Sequence, residues 1–300
     1  KTVQSHEQKE GTVEVLYSDG EKETFDLLVG ADGLWSHTRK SMLTPGVPDP
    51  VTFLGAYSAY FTAPVPQQKG EAYNGTVYIA SNRRILFTRR HRADQIQVYL
   101  FLVAESPLLQ AVRKNDVPAE KAAFAKAYSG AGWKTDEFVK WMKEADDFYC
   151  ERLSTVNMPS WSDGHVVLLG DAAYSPSAMT GMGTTSAIVG AYVLAGEIGR
   201  HCLHPPPGTQ AKEAIPSALK AYEEKMRPFM QQVQAGITPD SGWWTKLPAS
   251  WWGVAVLNFL LGVAAWLRLD AFAKLLSREE VVGWTLPEYE GMDLRGQRGV

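Results

Sequence analysis

The feature that most constrains the fold is an apolar strand that ends in a Gly-Asp pair and leads into a glycine-rich segment. Residues 164–171 read Gly-His-Val-Val-Leu-Leu-Gly-Asp, which is typical of a buried strand followed by a turn. Gly181 and Gly183 then precede a run of small residues that predicts a helix from about Thr184. Glycine lets the backbone approach a ligand, and the first N–H groups of a helix are free to donate. The pattern therefore predicts a cofactor site in which Asp171 accepts a hydrogen bond from a ribose-type hydroxyl.

A second strand-and-turn motif lies upstream of the first. Residues 26–33 read Asp-Leu-Leu-Val-Gly-Ala-Asp-Gly, and Ser36 and Arg39 follow. A turn at this place puts the Asp32 carboxylate at the carboxyl end of a parallel strand, where open α/β sheets bind their ligands. The alternative is a tight turn in which Arg39 pairs with Asp32 at the surface.

Together the two motifs resemble those of the FAD-dependent, aromatic-hydroxylase-type (group A) flavoprotein monooxygenases, which have the para-hydroxybenzoate hydroxylase fold. The order and the separation of the motifs both match. The resemblance implies that FAD is the cofactor and that the flavin carries the chemistry, so no protein residue is predicted to be catalytic. The residues it implies for FAD binding are Gly170, Asp171, Ala172, Gly181, Met182, Gly183 and Thr184, with Asp32, Gly33 and Arg39 from the upstream motif.

The resemblance also implies a role for each part of the site. Asp171 would bind the ribitol side of FAD, and the N–H groups at Gly181, Gly183 and Thr184 would stabilise negative charge on the reduced flavin. The upstream motif would contact the pyrophosphate and would be linked to binding of the nicotinamide cofactor. The structural alternatives are that Asp171 caps a turn and that the glycines serve helix packing.

The sequence departs from the commoner family pattern at several positions. Tyr174 stands where many relatives have His, and Gly190 stands where Asp is frequent. Ala178 replaces a proline that usually approaches the flavin, and Thr185 replaces a frequent Asn. The G-x-G-x-x-G unit that opens the family fold, with its acidic partner, does not occur in these 300 residues. We therefore expect the chain to be a fragment of a longer protein or a truncated gene product.

The predicted fold class is α/β (α+β), with a partial Rossmann-like FAD-binding domain. Strand-like segments between residues 51 and 103 predict an inserted antiparallel sheet, and the family's substrate domain is such a sheet. The predicted domains are an FAD-binding domain in two parts (1–50 and 151–204), a substrate domain (51–150) and a helical C-terminal region (205–300) with an apolar segment at 251–267.

Composition excludes some classes of function. The net charge of −3 gives no electrostatic reason to bind nucleic acid, and two distant cysteines without zinc spacing indicate a reducing compartment and no metal site. We expect a cytoplasmic protein. The apolar segment 251–267 is near the minimum length for a membrane span, but a buried or interfacial helix is the commoner outcome. Tryptophans within 243–268 suit either contact with a membrane surface or a lid over an apolar substrate.

The function predicted from the resemblance is an FAD-dependent monooxygenase. It would use NAD(P)H and O2 to hydroxylate or epoxidise a hydrophobic or aromatic organic substrate. One alternative is an oxidase or dehydrogenase on the same scaffold. Another is an inactive, membrane-peripheral remnant that cannot bind FAD alone, which the missing G-x-G-x-x-G unit favours.

Overall fold

The structure, a computed structural model, describes residues 1–103, 106–113, 115–203, 211–240, 243–267 and 281–292. Contacts divide the chain into two units. Unit 1 comprises Lys1–Thr52, Ser154–Ile237 and Glu280–Val300, and unit 2 comprises Phe53–Leu153 and Thr238–Glu279. The region 205–300, predicted to be one helical region, is divided between the two units: the helix Ala211–Val233 belongs to unit 1 and the helix Trp251–Trp266 belongs to unit 2.

The strands of the described residues are β1 (Val3–Lys9), β2 (Thr12–Tyr17), β3 (Lys22–Phe25), β4 (Leu28–Gly30), β5 (Val51–Ala63), β6 (Gly75–Ala80), β7 (Arg84–Arg90), β8 (Ile96–Val103), β9 (Tyr149–Val156), β10 (Ser162–Asp163) and β11 (Val166–Leu168). The α-helices are α1 (His37–Met42), α2 (Pro107–Ala111), α3 (Val117–Tyr128), α4 (Thr135–Glu144), α5 (Asp171–Tyr174), α6 (Gly183–Ile198), α7 (Ala211–Val233) and α8 (Trp251–Trp266). The elements confirm the predicted mixed α/β class.

The turns of both motifs follow strands of one sheet in unit 1, which has the strand order β10-β11-β4. Strand β11 pairs in parallel with β4, so that Leu168 lies opposite Gly30, and the N–H of Leu169 donates to the carbonyl of Gly30 at 3.0 Å. Strand β11 is fully buried, as predicted. The strand of the upstream motif was expected to be buried over residues 25–29, but β4 covers only Leu28–Gly30. Val29 is 39% exposed because β4 is an edge strand among the described residues.

Helices α6 and α7 pack beside β11 and complete the core of unit 1. Buried apolar side chains from all three elements form one cluster, which includes Leu168, Val193, Leu219 and Met226. Removing each such side chain from water contributes about 1.5–3 kcal/mol. This core fixes the end of β11, and therefore the turn after it, against two helices.

The predicted antiparallel sheet lies mainly in unit 2 and has the strand order β6-β7-β8-β5-β9. The pairs β6-β7, β7-β8 and β8-β5 are antiparallel. Alternate residues of β5, such as Tyr57, Ala59 and Phe61, pack with α3 and α4 in one core, as the two-residue period of a strand requires. In the sequence-based prediction this sheet belongs to the substrate domain.

Helix α8 covers most of the predicted apolar segment 251–267. It carries exposed apolar side chains, including Trp251 at 77% and Trp266 at 81% exposure. None of the helices that the structure describes combines the length and the apolar character needed to cross a bilayer. Contact of residues 243–268 with a membrane surface stays a prediction.

Candidate functional site

The turn after β11 depends on a glycine. Gly170 has φ +63° and ψ −139°, a conformation that residues with a Cβ rarely adopt. A Cβ added there would also lie 3.3 Å from the Cβ of Ala187 on α6. Gly170 therefore lets the strand turn sharply against α6, and Asp171 begins α5 directly after the turn.

The start of α6 is an uncapped helix N-terminus. The residue before it, Met182, makes no capping hydrogen bond with its side chain. The first hydrogen bond of the helix runs from the N–H of Ser186 to the carbonyl of Met182, at 2.8 Å. The N–H groups of the first turn, at Gly183, Thr184 and Thr185, consequently have no intrahelical acceptor. A helix of 16 residues adds its positive dipole end at the same place.

The structure brings Asp171 to this helix start. A Cβ added at Gly183 would lie 3.9 Å from Asp171 Oδ1, so the carboxylate borders the glycine that opens α6. Partial burial raises the pKa of Asp171, and a hydrogen bond with Ser175 acts in the opposite direction. Gly181, with φ +68°, ends a short 3-10 turn, Ala178–Thr180, and leads the chain into the helix.

Asp32 accepts hydrogen bonds at the start of helix α1, whose N-cap residue is Ser36. Its carboxylate accepts hydrogen bonds from Ser36 Oγ at 2.5 Å and from the backbone N–H groups of His37 and Thr38 at 2.8 and 3.0 Å. Burial pushes its pKa upward, but the hydrogen bonds from Ser36 and Thr38 outweigh burial and leave the pKa below its usual value. The alternative in which Arg39 pairs with Asp32 is therefore wrong.

Arg39 instead lies inside unit 1 with no exposed surface. Its guanidinium forms two hydrogen bonds with the Asp49 carboxylate, at 2.7 and 3.0 Å, and donates to the carbonyls of Leu34 and Ala172 at 2.7 and 3.0 Å. The bond to Ala172 joins the upstream motif to the turn after β11. The structure thus gives Arg39 an internal connecting role, and direct contact with a cofactor stays a prediction.

Tyr174 and Gly190, two of the positions predicted to depart from the commoner family pattern, contact each other in the structure. Tyr174, at the end of α5, is buried, and its hydroxyl lies 3.2 Å from the hydroxyl of Tyr222 on α7. A Cβ added at Gly190 would lie 1.9 Å from the Tyr174 hydroxyl. Tyr174 therefore fits in this position because residue 190 has no side chain.

The structure thus brings most of the predicted site residues to one end of a parallel strand pair. Asp171 and Gly183 border each other, Gly170 and Ala172 hold the turn, and Gly33 follows Asp32 in open space with φ +77°. Sequence reasoning missed the residues that support the site from a distance: Asp49, Tyr222 and Gln234. Nothing in the local sequence signals them, because each acts across at least ten residues of chain.

Comparison with known proteins agrees with this geometry. The sequence pattern of a family described as "FAD binding domain" matches residues 1–236. The chain is 41% identical over 295 residues to the FAD-dependent monooxygenase asL4 of Sarocladium schorii, covering 96% of this chain and 69% of that protein. It is 36% identical over 292 residues to the flavin-dependent monooxygenase eupH of a Phoma species, covering 94% and 66%. The chain therefore spans about two thirds of the length of these relatives.

Solved structures show the same fold. The crystal structure of tetracycline destructase Tet(55) matches with a TM-score of 0.70 at 24% identity, covering 96% of this chain and 69% of that one. Klebsiella pneumoniae HpxO, complexed with FAD and uric acid, matches with a TM-score of 0.58 at 20% identity, covering 78% and 56%. The chain belongs to the family of FAD-dependent monooxygenases, and its residues 1–236 match the family's FAD binding domain.

Proposed function

We propose that this chain supports FAD-dependent monooxygenation, in which NAD(P)H and O2 are used to hydroxylate or epoxidise a hydrophobic or aromatic organic substrate. The observation that carries the proposal is the meeting of the Asp171 carboxylate with Gly183 at the uncapped start of α6. An acceptor for a hydroxyl and unpaired N–H donors lie side by side there. This combination suits a cofactor that carries both hydroxyl groups and an electron-rich ring edge.

The residues at this place fit FAD in chemical terms. Asp171 would accept a hydrogen bond from a ribitol hydroxyl, and the N–H groups of Gly183, Thr184 and Thr185 would face negative charge on the ring. When bound, FAD supplies the redox chemistry between the nicotinamide, O2 and the substrate. The protein's part is to bind and orient the cofactor, to supply the helix-dipole field and to exclude water.

We further propose a division of labour between the parts of the chain. Unit 1 would hold the flavin side of FAD, and the sheet of unit 2 would bind the substrate. The adenosine side would be held by a segment outside these residues, because no G-x-G-x-x-G motif occurs in them and the relatives are longer. A shared region of about two thirds of each relative's length supports this proposal.

Gly183→Ala tests the proposed FAD site. The added methyl group would enter the space beside Asp171 Oδ1 but would meet nothing closer than 3.9 Å, so the fold should persist. We expect FAD affinity, measured by flavin fluorescence titration, to fall at least 10-fold, which corresponds to about 1.4 kcal/mol. Gly199→Ala is the matched control, because it adds a methyl group in open space at helical φ. Equal affinities for the two variants would contradict the proposed site.

The pH dependence of FAD binding tests Asp171. Its pKa is raised in the folded chain, so the ionised form is disfavoured there, and a hydroxyl donor favours that form. FAD affinity should therefore rise with pH from the usual carboxyl range through the raised pKa and then level off. Asp171→Asn should flatten this dependence and slightly raise the melting temperature of the FAD-free chain at pH 7, because an unfavourable ionisation is removed. An unchanged profile in this variant would exclude Asp171 as the titrating group.

Two measurements distinguish the monooxygenase from an oxidase and from a remnant that cannot bind FAD. A monooxygenase forms one oxygenated product for each O2 consumed without releasing peroxide, whereas an oxidase releases peroxide and no oxygenated product. A remnant that cannot bind FAD would show no binding up to about millimolar FAD, where affinity is only about 4 kcal/mol. That last result would place the activity in a longer form of the protein.

A further inference from the structure

The side chain of Gln234 holds the start of the segment 175–184, which joins α5 to α6. Gln234 lies directly after α7, and its Nε2 amide donates to the carbonyls of Val156, Tyr174 and Ser175 at 3.0, 3.2 and 3.1 Å. A primary amide has two hydrogens, so one of them is shared between two acceptors. These contacts span 59 to 78 residues of sequence. Gln234 therefore ties the end of α5 to the end of β9 and to α7.

The segment that follows needs such a restraint. Ser177 has φ +66° and ψ 150°, a region of backbone conformation that is essentially restricted to glycine. Such a residue stays in place only where the surrounding structure fixes the chain on both sides. After Ser177 the fixation comes from the N–H and hydroxyl of Thr180, which donate to the Ser177 carbonyl at 3.2 and 3.0 Å. Before Ser177, the chain is held by Gln234 and by the N–H of Val156, which donates to the carbonyl of Ser175 at 3.1 Å.

We propose that Gln234 is a positioning residue for the FAD loop, defined as residues 175–184. By holding the carbonyls of Tyr174 and Ser175 it fixes where the loop begins, and hence where the N–H groups at Gly183 and Thr184 point. The inference rests on the proposed function, because it assigns the loop to FAD. Gln234 contacts the loop only at its start, so its effect on the cofactor is indirect.

The chain supplies a matched control for the test. Gln231, on the last turn of α7, lines the same cavity of about 190 Å³ as Gln234, together with Trp161 and Arg227. Its side chain is exposed, and no hydrogen bond of it is found among the residues that the structure describes. Gln231→Met thus changes the same cavity without releasing the loop, whereas Gln234→Met removes the three hydrogen bonds. Gln234→Lys is the rescue variant, since an ammonium group offers three donors to the three carbonyls.

Hydrogen exchange of the FAD-free chain is the first readout, because it does not depend on FAD binding. We expect Gln234→Met to speed exchange at least 10-fold in peptides that cover residues 172–184, and we expect Gln231→Met to leave them unchanged. Gln234→Lys should restore most of the protection. If the loop exchanges equally in Gln234→Met and Gln231→Met, the positioning role is overturned, whatever the chain does with FAD.

FAD affinity and the reduction potential of the bound flavin are the second readout. Gln234→Met should weaken FAD binding at least 10-fold and shift the potential, whereas a purely structural role would change only the melting temperature. Unchanged affinity and potential, with a loosened loop, would overturn the link between Gln234 and the cofactor. Absence of FAD binding by the unmodified chain would refute the proposed function instead, and hydrogen exchange would then decide the positioning role alone.

Discussion

Replacing Arg39 with methionine is expected to destabilise the chain by about 3–5 kcal/mol, the usual cost of removing one partner of a buried ion pair. Methionine fills similar space but leaves the Asp49 carboxylate and the carbonyls of Leu34 and Ala172 without their donor. Each of these groups then loses a hydrogen bond that water cannot fully replace. The measurement is urea unfolding followed by tryptophan fluorescence, with the midpoint and the slope compared with those of the unmodified chain.

The control for this prediction is Arg92→Met. Arg92 forms an ion pair with Asp94 at 3.5 Å, but both side chains are mostly exposed. Exposed pairs contribute about 0–1 kcal/mol, so the control should unfold almost like the unmodified chain. If Arg39→Met were as mild as Arg92→Met, Arg39 would not be the internal connection between the two motifs. Weak FAD binding with unchanged stability would instead indicate direct contact of Arg39 with the cofactor.

Replacing Gly190 with alanine is expected to destabilise the chain by about 1–3 kcal/mol through overpacking. In most helices this change is favourable by about 1 kcal/mol, so the sign itself is informative. The cause is the Tyr174 hydroxyl, which would lie 1.9 Å from the new Cβ, while the ring carbon that bears it would lie 3.2 Å away. The measurement is again the free energy of unfolding in urea.

A second substitution identifies the clash. Tyr174→Phe alone loses the hydrogen bond to Tyr222 and should cost about 0.5–1.5 kcal/mol. In the double variant with Gly190→Ala, phenylalanine lacks the hydroxyl oxygen, so the nearest atom of residue 174 to the new methyl group is the ring carbon at 3.2 Å. The double variant should therefore be more stable than the sum of the single changes predicts. Gly199→Ala is the control, and additive effects in the cycle would rule out the Tyr174 hydroxyl as the cause.

The sequence was sufficient to predict the local backbone elements of the candidate site. A strand that ends in Gly170-Asp171, and a glycine segment before a helix of small residues, both follow from backbone preferences that act within a few residues. The start of α6 at Gly183 lies within one residue of the predicted position. The burial of β11 followed from its uninterrupted apolar run. The exposure of Val29 was not predicted, because the sequence alone does not show which strand forms the edge of a sheet.

The sequence by itself therefore determined the family, the mixed α/β fold and the two motifs that carry the predicted FAD site. Only the tertiary structure decided what supports that site: Arg39 bonded to Asp49 and Ala172, Tyr174 fitted against Gly190, and Gln234 bonded to the start of the FAD loop. The physical reason is the range of the interactions. Backbone preferences and turn chemistry are encoded in neighbouring residues, whereas these hydrogen bonds and close packings join residues 10 to 133 positions apart and exist only once β11, α6 and α7 have packed.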